Sequence, residues 1–340
     1  MLRGDGGIVI RFAIHGIRAT TSLINVFGKL DFVISIIGAG KVGSAAAFNV
    51  LRYRISDVVL VDVLGDLARG EALDMMQAAP ALEFDGKIVG TDDFSQIGGS
   101  EVVVAIAGVG RASPEMTRLD LMKTNSKTIK SVVRQIVQYA PDCKIMVVTN
   151  PVDVMTYVAY KESGFERNRV FGMGNILDIY RFRSYLAKEL NVSREDIRAL
   201  VMGEHGESMV PVLDYSSVSG IPIRSLLDEK SIERIVKSTR TAGDDIIRLK
   251  GSTTYAPGVV IAILIDAVLR GRNRVTCVST TLRGEYGYSD VSIGVPVILG
   301  KNGVERILEL ALSPIIKKQF GDSVSIVKDM INQLKDPHHE

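Results

Sequence analysis

An apolar run, Phe32-Val33-Ile34-Ser35-Ile36-Ile37, passes directly into Gly38-Ala39-Gly40-Lys41-Val42-Gly43 and then into the alanine-rich stretch Ser44-Ala45-Ala46-Ala47-Phe48-Asn49-Val50-Leu51. That order reads as strand, tight turn, helix. Side chains at the first two glycines would obstruct the turn and the approach of backbone to a pyrophosphate, while the third lets helix and strand pack closely. A diphosphate would sit on the helix N-terminus, where free N–H groups and the helix dipole favour an anion. Gly38, Gly40, Lys41, Val42 and Gly43 are therefore candidate cofactor-binding residues. A second apolar run, Val58-Val59-Leu60-Val61, ends in Asp62, 19 residues past Gly43. A carboxylate at that distance can accept hydrogen bonds from the adenine ribose hydroxyls and repels a 2′-phosphate, so the cofactor reads as NAD rather than NADP. The structural alternative is a glycine turn beside an Asp that caps a strand end.

Two further apolar runs follow, Val102 to Ala107 and Lys144 to Val148, with helical patterns between them. Strands alternating with helices imply right-handed crossovers and a parallel sheet covered on both faces. The expected fold class is α/β, a Rossmann-type doubly wound parallel sheet followed by an α+β substrate domain. The fourth run ends in Thr149-Asn150-Pro151-Val152-Asp153, which places Asn150 at the carboxyl edge of the sheet, where such folds bind ligands. Beyond about residue 172 the pattern changes to long helical stretches and a late apolar run, Val291 to Leu299. Gly300-Lys301-Asn302-Gly303 then turns the chain, and Ser313-Pro314 reads as a helix N-cap with proline at the first helical position. The expected division is an N-terminal extension at 1–30, a dinucleotide-binding domain at 31–172, a substrate domain at 173–335 and a tail at 336–340.

The chemistry concentrates between Asn175 and His205. Asp178 and Arg181 stand three apart in a helical stretch and so project from one face. An arginine there offers a planar fork that matches a carboxylate, although the same spacing also suits a surface ion pair. His205 lies in Met202-Gly203-Glu204-His205-Gly206-Glu207-Ser208, a loop whose glycines suggest an exposed imidazole. Were Asp178 to accept a hydrogen bond from one ring nitrogen, it would fix the tautomer and lift the imidazole pKa toward the range useful for proton transfer near neutrality. A third set, Ala107 to Leu121, carries Arg111 and Arg118 on a segment rich in Gly, Pro and short polar residues. It reads as a closing loop that would bring positive charge to a carbonyl oxygen, or as two solvated arginines.

These segments together resemble the lactate/malate dehydrogenase family, most closely its archaeal-type malate dehydrogenases. The resemblance runs from about residue 33 to 335. It rests on Gly38 to Gly43, Thr117-Arg118-Leu119-Asp120-Leu121, Asn150-Pro151-Val152-Asp153, Leu177-Asp178 with Arg181-Phe182-Arg183, Gly203-Glu204-His205-Gly206, and Gly284-Glu285-Tyr286-Gly287 with Ile293-Gly294-Val295-Pro296. It implies reversible hydride transfer between NAD and a 2-oxo acid, with His205 as proton donor and acceptor and Asp178 as its partner. It further implies that Arg181 clamps the substrate's C1 carboxylate and Arg118 polarises the reacting carbonyl. Asn150 would contact substrate and the nicotinamide side of the cofactor. Asn125 and the Val148 to Asn150 strand end would line the NAD site, and Thr253 would neighbour the substrate. Arg111 is the candidate for a second substrate carboxylate, which makes malate and oxaloacetate the expected dicarboxylate pair. Arg111 precedes Arg118 by seven positions where six is usual in the family, so a lactate or broad 2-hydroxy acid dehydrogenase stands as the alternative. An NAD-binding protein without catalysis is the reading from another class, and the joint presence of His205, Asp178, Arg181 and Arg118 argues against it. The family also suggests a homotetramer or homodimer.

Bulk composition adds exclusions. Hydrophobic content of 46%, charged content of 24% and a net charge of +2 match a globular protein and give no reason to expect nucleic acid. Cys143 and Cys277 read as buried thiols of a reducing compartment, which fits the cytoplasm, and no His or Cys spacing suggests a metal. The longest apolar stretch, Gly258 to Leu269, is interrupted by Asp266 and reads as a buried helix, so no membrane partner is expected. The first 30 residues hold Arg3, Arg11, Arg18 and Lys29 against a single acid, Asp5, as an organelle transit peptide does, whereas their five glycines and lack of a sustained helical stripe suit an appended arm or an over-long assigned start as well.

Overall fold

The computed structural model describes residues 33–109 and 117–335. The 1–30 extension, the 336–340 tail and Arg111 lie outside the described residues, as does the side chain of Arg118. In chain order the strands are β1 (Val33–Ile37), β2 (Asp57–Val61), β3 (Ile88–Thr91), β4 (Val102–Ala105), β5 (Lys144–Val147), β6 (Val170–Gly172), β7 (Ile197–Arg198), β8 (Val201–Met202), β9 (Val210–Pro211), β10 (Ser217–Val218), β11 (Ile221–Pro222), β12 (Arg274–Arg283), β13 (Ser289–Gly300) and β14 (Gly303–Ile307). The helices are α1 (Lys41–Arg52), α2 (Gly65–Leu82), α3 (Arg118–Tyr139), α4 (Val152–Ser163), α5 (Ile176–Leu190), α6 (Glu229–Lys250), α7 (Tyr255–Leu269) and α8 (Pro314–Lys335).

Six parallel strands run in the order β3-β2-β1-β4-β5-β6, the doubly wound dinucleotide-binding topology. Ile34 and Ile36 of β1, all four residues of β4 and Ile145, Met146 and Val147 of β5 are fully buried, as strands covered by helices on both faces must be. The order of β1 and β4 is a switch point, so a crevice opens beyond their carboxyl ends.

The second half is the expected α+β part, and it continues the first sheet. β12, β13 and β14 join the same sheet antiparallel, and the seam between halves is the pairing of Ser279 on β12 with Gly172 on β6. β3, β6 and β12 lack the continuous apolar run by which β1, β2, β4, β5 and β13 are read, although β12 is rich in β-branched Val and Thr. Gly90 interrupts β3 because a β-carbon there would lie 2.0 Å from the Ala68 carbonyl oxygen of α2. β6 is only three residues long. β12 buries Thr276, Ser279, Thr280 and Thr281 in place of an apolar alternation.

Other expectations hold locally. Gly300 to Gly303 joins β13 to β14, the Ser313 hydroxyl accepts from the Ile316 N–H at 3.4 Å, and the apolar stretch from Gly258 lies within α7. α7 packs closely on α1: a β-carbon at Gly258 would lie 2.8 Å from that of Ala45. That contact carries the Gly251 to Thr254 connection, at the head of α7, toward the nucleotide half. Cys143 and Cys277 are buried and unpaired, and burial pushes both thiols up, Cys143 to about 12. Among the described residues, no helix is long and apolar enough to cross a membrane, and no cluster of His, Cys, Asp or Glu could hold a metal ion.

Candidate active site

A cleft of about 910 Å³ opens at the carboxyl edge of the sheet, beside the turn between β1 and α1. Gly38, Gly40, Lys41, Val42, Gly43 and Asp62 all line it. Gly43 is required there because a β-carbon would lie 1.8 Å from the Gly38 carbonyl oxygen, and Gly38 itself has φ +117°. A β-carbon at Gly40 would meet nothing within 4 Å, so its hydrogen leaves open the space over the turn that a diphosphate needs. Gly40 is the N-cap of α1, which has no side-chain cap and no acid in its first turn, so its N–H groups and dipole are available to an anion. Asp62 follows β2 and is held by two donors, Ala39 N–H to Oδ2 at 2.7 Å and Leu64 N–H to Oδ1 at 2.9 Å. The residues present fit a dinucleotide.

The other residues expected at the cofactor, Asn125 and, at the end of β5, Val148 and Asn150, stand next to the Ala107 to Val109 wall of this cleft. Asn125 is buried and its carboxamide is spent on backbone: Oδ1 accepts from Val109 N–H at 2.9 Å, and Nδ2 donates to Val109 O at 3.1 Å and Asn150 O at 2.8 Å. It ties the segment after β4 to the end of β5. Val148 is buried and Asn150 is exposed at the sheet edge. Arg118 is the first residue of α3, behind a capping box in which Thr117 Oγ1 accepts from Asp120 N–H and Asp120 Oδ2 accepts from Thr117 N–H, both at 3.1 Å. Thr253 lies in the connection between α6 and α7, half-buried. From the same connection Ser252 reaches the cofactor cleft.

Asp178, Arg181 and His205 come together from α5 and from the connection between β8 and β9. His205 Nδ1 lies 2.6 Å from Asp178 Oδ2, and Arg181 Nη1 donates to Asp178 Oδ1 at 3.2 Å. A carboxylate only accepts, so Nδ1 carries the proton and Nε2 is the basic nitrogen of the neutral ring. The side chains of Asp178, His205 and Arg181 are 4%, 12% and 15% exposed, so this is neither a surface ion pair nor an exposed loop histidine. Asp178 holds the ring and Asp153 holds the His205 backbone N–H, so the loop is enclosed. Burial alone would lower the imidazole pKa, but the Asp178 charge and hydrogen bond outweigh it, and the net displacement is upward. Arg181 packs beside Gly243 of α6, where a β-carbon would stand 3.4 Å from its Nη2.

The main chain that carries His205 is suspended on buried groups that have no role in the sequence reading. The His205 N–H donates to Asp153 Oδ2 at 2.8 Å, and Ser279 of β12 donates to Asp153 Oδ1 at 2.6 Å. The Glu204 N–H donates to Ser323 Oγ of α8 at 2.8 Å, and Gly203 pairs with Gly294 of β13 through both backbone bonds. Burial pushes the Asp153 carboxyl up to about 6 despite its two donors. An acid inside the apolar run Val152-Asp153-Val154-Met155 was the available signal, because a buried carboxylate needs partners.

Comparison with known proteins decides the family. Residues 32–172 match the model of the lactate/malate dehydrogenase NAD binding domain, and residues 176–337 match that of the lactate/malate dehydrogenase alpha/beta C-terminal domain. The chain belongs to the lactate/malate dehydrogenase family. It is an oxidoreductase of that family, and its cofactor is NAD. Among its relatives, the malate dehydrogenase of Bacillus licheniformis is 45% identical over 311 residues, covering 90% of this chain and 99% of that one. The solved malate dehydrogenase of Salinibacter ruber is 42% identical with a TM-score of 0.86, covering 89% of this chain and 98% of that one. A solved L-lactate dehydrogenase of Enterococcus mundtii superposes equally well, with a TM-score of 0.86, at 32% identity over 89% of this chain and 98% of that one. Backbone shape is therefore common to malate and lactate members of the lactate/malate dehydrogenase family.

Proposed function

We infer that this member of the family is an NAD-dependent malate dehydrogenase that interconverts malate and oxaloacetate. The observation that carries the reading is the buried His205–Asp178–Arg181 set, joined through one sheet to a dinucleotide cleft, in a chain 42–45% identical to proteins named malate dehydrogenase. When bound, NAD supplies the hydride acceptor for the hydroxy acid and, reduced, the donor for the oxo acid.

The chain's own residues then have these tasks. His205 Nε2 takes the hydroxyl proton during oxidation and returns it during reduction. Asp178 holds the ring in the Nδ1–H tautomer and stabilises the imidazolium. Arg181 receives the C1 carboxylate with the donors that Asp178 leaves available. Arg118 polarises the reacting carbonyl, Arg111 meets the second carboxylate, and Asn150 and Thr253 border the substrate. Asn125 and Val148 support the cofactor side, with Asn125 acting through the backbone it braces. The working halves are 31–172 and 173–335, in a cytoplasmic homotetramer or homodimer. The two buried thiols support the compartment and the family resemblance supports the oligomer.

The experiment is NADH oxidation with oxaloacetate and pyruvate side by side at matched concentrations. Oxaloacetate is expected to win by orders of magnitude, because pyruvate would leave Arg111 unpaired in a dry site at a cost of about 2 to 5 kcal/mol. Arg111→Gln should lower oxaloacetate turnover and raise that of pyruvate. Preference for pyruvate in the wild type would favour the lactate reading, and inactivity with both would favour binding without catalysis.

A further inference from the structure

Asn175 immediately precedes α5 and occupies its N-cap position, where an asparagine ordinarily accepts a backbone N–H of the first turn. It makes no such bond. The side chain, fully buried, turns instead into the acid/base site. Its Nδ2 donates to Asp178 Oδ2 at 3.3 Å and to the Glu204 carbonyl at 3.2 Å. Both partners are acceptors only, so the carboxamide cannot be flipped without losing both bonds. The other end, Oδ1, is buried without a partner and faces Gly294 of β13, where a β-carbon would stand only 1.5 Å from it. The neighbouring strand is thus bare at the one place where the carboxamide has to fit. A helix cap has been given up, a buried acceptor left unpaired and a glycine placed opposite, and the return is two contacts that both lead to His205.

We propose that Asn175 is a positioning residue for the acid/base pair, sharing Asp178 Oδ2 with the imidazole and tying the start of α5 to the residue before His205. This rests on His205 being the proton-transfer group. Asp178 is already fixed by Arg181 on one oxygen and His205 on the other, so loss of the carboxamide does not free it from the ring. What is lost is a donor that competes with the imidazole for Oδ2. Asp178 then stabilises the imidazolium more strongly, and the ring's pKa rises. The other charged groups acting on the ring among the described residues are Arg181 of α5 and Asp153 of α4, while Glu204, next to it in the loop, accepts from Ser208. The remaining neighbours in that network, Ser279 of β12, Ser323 of α8 and Gly294 of β13, carry no charge, and Arg240 of α6 reaches only the Met209 carbonyl further along the chain. None of these changes in the variant.

The test is titration of the His205 imidazole by NMR in the full-length protein and in Asn175→Ala, with the resonance assigned by its disappearance in His205→Asn. The rate of malate oxidation is followed over the same pH range. The expected result is an upward displacement of the imidazole pKa by about half a unit, with the rising limb of the rate profile moving the same way. Should Asn175→Ala fail to fold, Asn175→Ser, which is too short to reach both acceptors, is read in its place. An imidazole pKa unchanged or lowered, whatever happens to thermal stability, would overturn the proposal and leave Asn175 as packing. Full malate turnover in His205→Asn would instead remove the acid/base reading itself, a separate outcome from the same set of variants.

Discussion

The cofactor cleft and the acid/base site lie in one molecule but are built in opposite ways. The cleft is made of backbone and absences: hydrogens at Gly38, Gly40 and Gly43, uncapped N–H groups at α1, and one carboxylate after β2. The acid/base site is made of buried polar side chains drawn from α4, α5, α8, β12 and the His205 connection, with Asp178 and Asp153 each shared between partners. A backbone site needs a short contiguous motif, whereas a side-chain site needs a folded protein around it.

The first way to break that contrast is Asp178→Asn, for which the largest effect is expected. The amide can donate to Nδ1 and so favours the wrong tautomer, and malate turnover should fall about 10³-fold while NADH affinity is kept. A comparable loss of NADH binding would show that the two sites are one. Gly43→Ala is the reciprocal change. Its methyl would meet the Gly38 carbonyl oxygen at 1.8 Å, so the turn must open, and NADH affinity should drop about 100-fold in fluorescence titration, the equivalent of about 3 kcal/mol.

Asp153 sharpens the contrast through stability. Burial pushes its carboxyl up to about 6 from an ordinary 3.8, so between those values the native state binds the proton that the unfolded state has released. Its ionisation therefore costs stability as pH rises through that window, and acid relieves the cost. Asp153→Asn should stabilise the fold by about 1 to 2 kcal/mol at pH values well above 6, after the burial of an amide is discounted, read as a melting temperature above wild type, and the gain should vanish near pH 4. A gain independent of pH would contradict the assignment. The smallest effect is expected at Asp62→Asn, which removes the charge that repels a 2′-phosphate. NADPH should become a better substrate by about tenfold in kcat/KM with the fold intact.

The same contrast explains what could be read in advance. Gly38 to Gly43, Asp62 and the alternation of strand and helix are contiguous patterns, and the parallel sheet followed from them. Asp178 and Arg181 were legible because a helix puts positions three apart on one face. Their partnership with His205 crosses 27 residues, and came from the chemistry of the residue types and the family resemblance together. Asn175, Ser279 and Ser323 were not legible as site residues, since each acquires its role only when distant strands and helices meet, and Asp153 offered only the signal of an acid inside an apolar run. β12 was missed for a related reason: its buried hydroxyls serve Asp153 and Ser292, and so hide the apolar periodicity of a strand. The burial of His205 was misjudged because glycine neighbours permit an enclosed loop as readily as an exposed one.

The measurement that bears most directly on this account is made on one preparation of His205→Asn, in which NADH binding by fluorescence and oxaloacetate reduction are recorded together. The account predicts NADH affinity within about twofold of wild type and turnover lower by about 10³-fold or more. Retained turnover, or loss of NADH binding along with it, would contradict the assignment of proton transfer to a site built separately from the cofactor cleft.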